Sequence, residues 1–441
     1  MNNPRRSKAP HKANAPKPNA RVAAAETLSH VLDGGATLDD AMTASKAYAR
    51  LAGRDRAFAR AMASAALRRL GSIDAILNAR LSRPLDQTAP LARALLRIGA
   101  AQILCLDTPP HAAVGETVTA ARIIAPKFAG LMNAVLRRVA EEDRAKFDAQ
   151  PPGSDLPNWL FARWRAAYGE HAAHIAEALR HEPPLDISVK ADAKDWATRL
   201  LSDLTPTGAV RLSEGHAPIA ELPGFNEGAW WVQDAAAALP AKLLGDVRGK
   251  RVLDLCAAPG GKTLQLAAAG ARVTALDIAA ERLETLKENL ARTRLEAEIV
   301  IADAREFRPA ELFDAILLDA PCTATGTLRR HPEAAWLRRP DDIRRMSALQ
   351  TELIAATRAM LKPGGVLVYA VCSLEPEEGP GAASAALSNG WRRLPLTPEE
   401  FPAIADFITK DGDLRTTPAH WPDIGGMDGF YAVRLTAGKV G

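Results

Sequence analysis

The segments Leu317-Leu318-Asp319-Ala320-Pro321-Cys322 and Val368-Tyr369-Ala370-Val371-Cys372-Ser373 decide the fold. Each is an apolar, β-rich run that stops abruptly in polar or turn-forming residues, with a cysteine at or just past its end. Working outward, the two runs extend to strands over Asp314–Asp319 and Val366–Val371, and similar runs occupy Arg251–Cys256, Arg272–Asp277 and Ala297–Asp303. Helical patterns separate them at Thr263–Ala269, Ala279–Leu290 and Ile343–Leu361. This β/α alternation predicts a parallel, doubly wound α/β domain over residues 236–441, with Gly429–Leu435 as one further strand. Ligands of such a sheet bind outside the carboxyl ends of its strands. Two thiols and the carboxylate of Asp319 are therefore expected beside one substrate.

Upstream the pattern changes twice. Residues 21–145 are rich in Ala and Leu with helical periodicity, at Arg21–Leu32, Ala57–Leu70, Ile73–Leu81, Pro90–Leu104 and Ala112–Ile124. Pro84, Pro109-Pro110 and Pro126 punctuate an all-helical domain of six or seven helices. His111 reads as a loop residue there and Cys105 as a small core residue. Gln150-Pro151-Pro152-Gly153-Ser154 reads as a boundary. Residues 146–235 then form a small α+β subdomain or linker, with Trp159, Trp164 and Tyr168 in one helix and short strand-like pieces such as Leu185–Lys190. The pair Trp230-Trp231 suits packing between domains better than base stacking.

Composition narrows the class. The 441 residues are 47% apolar and 24% charged, which suits a globular protein of two or three domains. Four scattered cysteines, Cys105, Cys256, Cys322 and Cys372, form no Cys-x-x-Cys pair, so neither a disulfide framework nor a metal site is expected. No apolar run is long enough to span a membrane and no signal-peptide core opens the chain, so a cytoplasmic protein, most simply a monomer, is the default expectation. The net charge of +4 is concentrated: residues 1–20 carry five bases and no acid, which leaves 51 basic against 52 acidic residues elsewhere. The composition of that tail predicts disorder, and its charge suits either attraction to polyanions or a merely solubilising terminus.

Val252-Leu253-Asp254-Leu255-Cys256-Ala257-Ala258-Pro259-Gly260-Gly261-Lys262-Thr263 reads as strand, glycine turn and helix start. Its glycines admit close approach of a ligand, and the new helix offers free N–H groups. The spacing is neither the dinucleotide fingerprint nor a P-loop. The next strand ends in Asp277, where an acid accepts both hydroxyls of a ribose. The third ends in Asp303, within reach of an adenine amino group. Three successive strands that each deliver an acid or a glycine turn to one edge favour a cofactor site over mere helix caps.

The cysteines suggest the chemistry. Carbon 5 of cytosine is a poor nucleophile, and a thiolate added at carbon 6 makes it enamine-like and able to attack a methyl sulfonium. A second group must then remove the carbon 5 proton so that the thiol can leave. A carboxyl placed like Asp319 can bond the N3 edge and drain charge from the ring.

Asp319–Gly326 with Arg329-Arg330-His331-Pro332-Glu333, together with Asp254–Thr263 and Tyr369–Ser373, resembles the Sun (RsmB/Fmu) family of RNA cytosine-5 methyltransferases. The leading helical domain resembles the NusB-like RNA-binding module of the branch that modifies the small ribosomal subunit. The resemblance implies S-adenosylmethionine held by Cys256, Ala257, Ala258, Pro259, Gly260, Gly261 and Lys262, with Asp277, Asp303 and Asp319, and with Arg282 near the cofactor acid. It implies Cys372 as nucleophile, Cys322 as the second cysteine that releases product, and 16S ribosomal RNA as substrate; transfer RNA or a non-catalytic assembly role are the rivals. The sequence departs from the family pattern at Val371, where threonine is usual, and at Thr323, where serine is usual.

Between Cys322 and the long helix lie Arg329, Arg330, Arg338, Arg339, Arg344 and Arg345. RNA phosphates are their expected counterpart. A salt-bridged face answered by Glu333, Asp341 and Asp342 is the alternative.

Overall fold

A computed structural model describes residues 19–142, 144–213 and 215–437. The basic tail expected over residues 1–20 falls almost wholly outside them. The chain forms two compact units that divide between Gln150 and Pro151.

The first unit is helical throughout its described residues. Helices Ala20–Leu32, Gly53–Arg68, Leu70–Asn78, Pro90–Leu104 and Pro110–Ile124 match the periodic segments. Helices Leu38–Ala44, Lys46–Ala49, Ala129–Glu142 and Arg144–Asp148 were not anticipated, which raises the tally above seven among the described residues. The first two of these are one or two turns long and stand on side-chain caps, Thr37 to the Asp40 N–H and Ser45 to the Tyr48 N–H. His111 is exposed in the first turn of a helix rather than in a loop, because Pro110 suits the opening helical position. At Gly99 an added Cβ would lie 2.4 Å from Leu136, so helices Pro90–Leu104 and Ala129–Glu142 approach closely only because that residue is glycine.

The second unit begins with helices Asn158–Tyr168 and His171–Ala178. A four-stranded antiparallel sheet follows, built from β1 (Asp186–Val189), β2 (Asp203–Leu204), β3 (Val210–Arg211) and β4 (Trp230–Val232) in the order β2-β3-β1-β4. Buried Arg211 holds both oxygens of buried Asp186, at 2.7 and 2.8 Å, and so ties β3 to β1.

The large sheet comprises β5 (Arg251–Leu255), β6 (Arg272–Asp277), β7 (Glu298–Ile301), β8 (Phe313–Asp319), β9 (Leu361–Val371), β10 (Trp391–Arg393), β11 (Leu414–Arg415) and β12 (Tyr431–Ala437). Its order is β10-β12-β9-β8-β5-β6-β7, with β11 paired to β12. The five strands β5 to β9 run parallel, as the alternation predicted. The sheet as a whole is mixed, because β12 returns antiparallel to β9 and carries β10 and β11 beside it. Side chains of the central strands alternate between two cores. Leu253, Leu255, Ile316, Leu318, Leu367 and Tyr369 face one, and Val252, Ala315, Leu317, Val368 and Ala370 face the other. Burial on both sides explains why these strands read as continuous apolar runs. After β7 the chain returns to place β8 on the other flank of β5, and this reversal opens a crevice at their carboxyl ends.

Candidate active site

The crevice between β5 and β8 gathers the residues that the sequence singles out. Lys262, in the first turn of helix Gly261–Ala268, donates from Nζ to Asp319 Oδ2 at 2.7 Å across the crevice. Burial opposes the ammonium charge, but Asp319, the neighbouring Cys372 sulfur and Asp254 outweigh it and hold the Lys262 pKa above its ordinary value. The Phe430 ring lies under the same ammonium at 5.2 Å. Cys322, three residues past the end of β8, and Cys372, next after β9, bring their sulfurs to 3.4 Å. The Cys322 thiol is pushed far up by its hydrogen bond to Cys372, then by burial and by repulsion from the Cys372 sulfur.

The glycine turn is built for tight packing. Gly260 has φ +109°, and a Cβ there would lie 2.3 Å from Leu286. Ala257 and Ala258 are buried against Trp231, Leu283 and Leu286. Pro259 is exposed at the tip and Cys256 packs partly against the sheet core, its thiol pushed up by burial. The Asp277 carboxylate accepts the Ala258 N–H at 3.1 Å and the Ala279 N–H at 2.9 Å, and Arg282 donates to the Ala258 carbonyl at 2.6 Å. Asp277 thus braces the loop and caps the turn at once. Asp303 stands apart: Arg305 grips both its oxygens, and this ion pair holds its carboxyl below the usual range.

Three features go beyond the reading of the sequence. Ile278, immediately after Asp277, is 67% exposed, an apolar side chain just past the carboxyl end of β6. Trp230 and Trp231 are both buried but on opposite sides of β4, one in the small subdomain and one beneath the glycine turn. The packing expected of them is therefore within a single compact unit. Helix Asn158–Tyr168 grips the loop after Cys372, through Trp164 and Arg163 on Glu375 and Tyr168 on the Leu374 carbonyl. Aromatic spacing marked that helix, but nothing local named its partner.

The arginine segment divides in two. Arg329 is 2% exposed and donates to the Gly425 carbonyl, while Arg330 is paired with Asp234 at 2.5 Å and Asp428 at 3.1 Å. Arg338 donates to the Thr323 carbonyl behind Cys322. These three are internal ties, a correction to the expected phosphate contact. Arg344 and Arg345 are 80% and 69% exposed in their side chains, each on a neighbouring aspartate. Arg339, the N-cap of helix Pro340–Thr357, is exposed as well, and these three offer charge to a polyanion with little desolvation.

The residues fit a cofactor of the adenosyl class. The tight turn leaves backbone where a ligand approaches, and the buried Asp254 Oδ1 lacks a hydrogen-bond partner within the protein. No group of three or more His, Cys, Asp or Glu residues able to hold a metal occurs among the described residues. No helix among them is long and apolar enough to cross a membrane. A surface groove of about 760 Å³ between Arg251, Arg272 and Lys287 lies at the opposite end of the sheet, away from the thiols.

Comparison with known proteins fixes the family. The family described as 16S rRNA methyltransferase RsmB/F matches residues 241–436, and the NusB family matches residues 18–141. Ribosomal RNA small subunit methyltransferase B of Salmonella arizonae is 37% identical over 95% of this chain and 98% of its own length. The chain belongs to the ribosomal RNA small subunit methyltransferase B family. A second member, from Cronobacter sakazakii, is 37% identical over 84% of this chain and 90% of its own. Among solved structures, a methyltransferase homologue from Pyrococcus horikoshii is 29% identical over 64% of this chain and 95% of its own, with TM-score 0.54. NSun6 of the same organism shares the fold at 19% identity and TM-score 0.55, over 64% and 98% of the two chains. The cofactor of this methyltransferase family is S-adenosylmethionine.

Proposed function

We propose that the chain methylates carbon 5 of a cytosine in 16S ribosomal RNA, with Cys372 as nucleophile, Cys322 as the base of product release and Asp319 on the pyrimidine edge. The observation that carries this reading is the 3.4 Å contact of two thiols from neighbouring loops, beside the Lys262–Asp319 pair. A binding protein has no use for that arrangement.

S-adenosylmethionine supplies an electrophilic methyl group, and Cys256 to Lys262, Asp277, Asp303 and Arg282 are the residues that would hold it. The Asp277 oxygens suit ribose hydroxyls, and Ile278 offers an apolar surface to a base. The rest belongs to this chain's own side chains. Addition of the Cys372 sulfur to carbon 6 ties up its electron pair in the new C–S bond. The hydrogen bond and the repulsion that raise Cys322 are then both lost, so that its thiol can give its proton to solvent and the resulting thiolate can act as the base. Once carbon 5 has used the pair released by that addition to take up the methyl group, Cys322 removes the carbon 5 proton, that C–H pair becomes the ring double bond, and the Cys372 sulfur departs with the electrons of the C–S bond.

The helical N-terminal domain and the middle subdomain serve RNA docking in this reading, and the cytosine is turned out of its stack into the crevice. The relatives are named as methyltransferases of ribosomal RNA, which favours ribosomal over transfer RNA. A cytoplasmic monomer accords with it. The test is methyl transfer to small-subunit RNA with 5-methylcytosine mapping. Cys372→Ala is expected to fall to background, and Cys322→Ala to accumulate a covalent protein–RNA adduct. Full activity of Cys372→Ala would overturn the reading.

A further inference from the structure

The residues that follow the two cysteines converge on one buried carboxylate. Glu378 Oε1 accepts the Thr323 N–H at 2.9 Å and the Gln350 side-chain amide at 3.3 Å. Glu378 Oε2 accepts the Thr323 hydroxyl at 2.5 Å and the Ser373 hydroxyl. Thr323 follows Cys322 and Ser373 follows Cys372, so one side chain fastens both cysteine-bearing loops. Glu378 is fully buried and is itself held: Tyr369 donates its hydroxyl to the Glu378 carbonyl. It sits in a π-helical turn, Glu377–Gly381, and turns of that kind are frequent at functional sites. Gln350 also donates to the Pro321 carbonyl at 2.9 Å, which ties the start of the Cys322 loop to the same node.

The four donors match the acceptor sites of the ionised carboxylate, and their hydrogen bonds oppose the burial that pushes the Glu378 carboxyl above its usual range. The threonine at position 323 keeps the hydroxyl of the serine usual in the family, and its bond to Glu378 accounts for why that exchange is tolerated.

Resting on the covalent reading above, we infer that Glu378 is a positioning residue that sets the separation of the two sulfurs and so governs product release. Bond formation at carbon 6 requires only Cys372 and the ring. Release requires both sulfurs in register: one still bonded to carbon 6, the other against the proton on adjacent carbon 5. In that step the proton passes to Cys322, the C–H pair closes the ring double bond, and the C–S pair returns to Cys372. Loosening the shared anchor therefore slows release more than attachment.

The test uses the full chain with small-subunit RNA, and reads kcat, KM and the fraction of protein trapped on RNA under denaturing conditions. Glu378→Gln is expected to lower kcat about tenfold or more with KM for RNA within about twofold, while the trapped fraction rises toward that of Cys322→Ala. Thr323→Val should move the same way, and Thr323→Ser should stay near the wild type. A merely structural role would lower kcat and melting temperature with no rise in adduct, and that result overturns the inference. If Glu378→Gln does not fold, Thr323→Val and Ser373→Ala decide on the same readouts. An adduct in Cys322→Ala but none in these variants sinks this inference alone. No adduct in Cys322→Ala with normal turnover sinks the covalent reading beneath it.

Discussion

Trp164 donates from its indole Nε1 to Glu375 Oε1 at 2.9 Å, across 211 residues of sequence. Glu375 lies three residues past Cys372, is fully buried, and receives Arg163 on its other oxygen at 2.8 Å. A helix of the middle subdomain thus anchors the loop that carries the proposed nucleophile. Trp164→Phe removes one donor from a buried carboxylate, at a cost of about 1–3 kcal/mol. Thermal unfolding should register this as a clear fall in melting temperature, and an unchanged midpoint would contradict the anchoring role.

The arginines of the 329–345 segment should separate cleanly by assay. Arg330→Ala strands Asp234 and Asp428 in the interior and is expected to destabilise by about 3–5 kcal/mol. Arg345→Ala should change stability by no more than about 0.5 kcal/mol. Instead it should weaken RNA binding and reduce the slope of log affinity against log salt by about one. Equal effects of the two variants on denaturant midpoint would refute the division.

Asp254 gives a signature in pH. Burial pushes its carboxyl up to about 7, against the opposing hydrogen bond from Thr263. The folded chain therefore holds this proton at pH values where the unfolded chain, near 3.9, has released it. The associated stability is complete below about pH 4 and is lost as pH rises to about 7. Asp254→Asn keeps an acceptor for Thr263 and removes the titration. The stability of the wild type relative to this variant should fall by a few kcal/mol between those limits. Parallel pH profiles for the two proteins would exclude the effect.

Gly260 and Gly261 look alike in sequence and should not behave alike. Gly260→Ala combines a left-handed backbone, costing roughly 1–2 kcal/mol, with a Cβ 2.3 Å from Leu286. A Cβ at Gly261 meets Gln233 at 3.6 Å, an ordinary contact. Calorimetry with S-adenosylmethionine should show lost affinity and a lower melting temperature for Gly260→Ala, with a near-normal melting temperature for Gly261→Ala.

The sequence by itself determined the sheet edge on which Asp319, Cys322 and Cys372 assemble, because strands buried on both faces must be continuously apolar and must end abruptly where the chain turns to a ligand. It determined the glycine turn and Asp277 for the same local reason. What it left open is contact between distant segments. The grip of Trp164 on Glu375, the meeting of Thr323 and Ser373 at Glu378, and the burial of Arg329 and Arg330 are set by which surfaces pack together, and side-chain periodicity carries no record of a partner 50 to 211 residues away. The antiparallel return of β12 is of the same kind: its residues announce a strand, but only the closed sheet assigns its direction and neighbour.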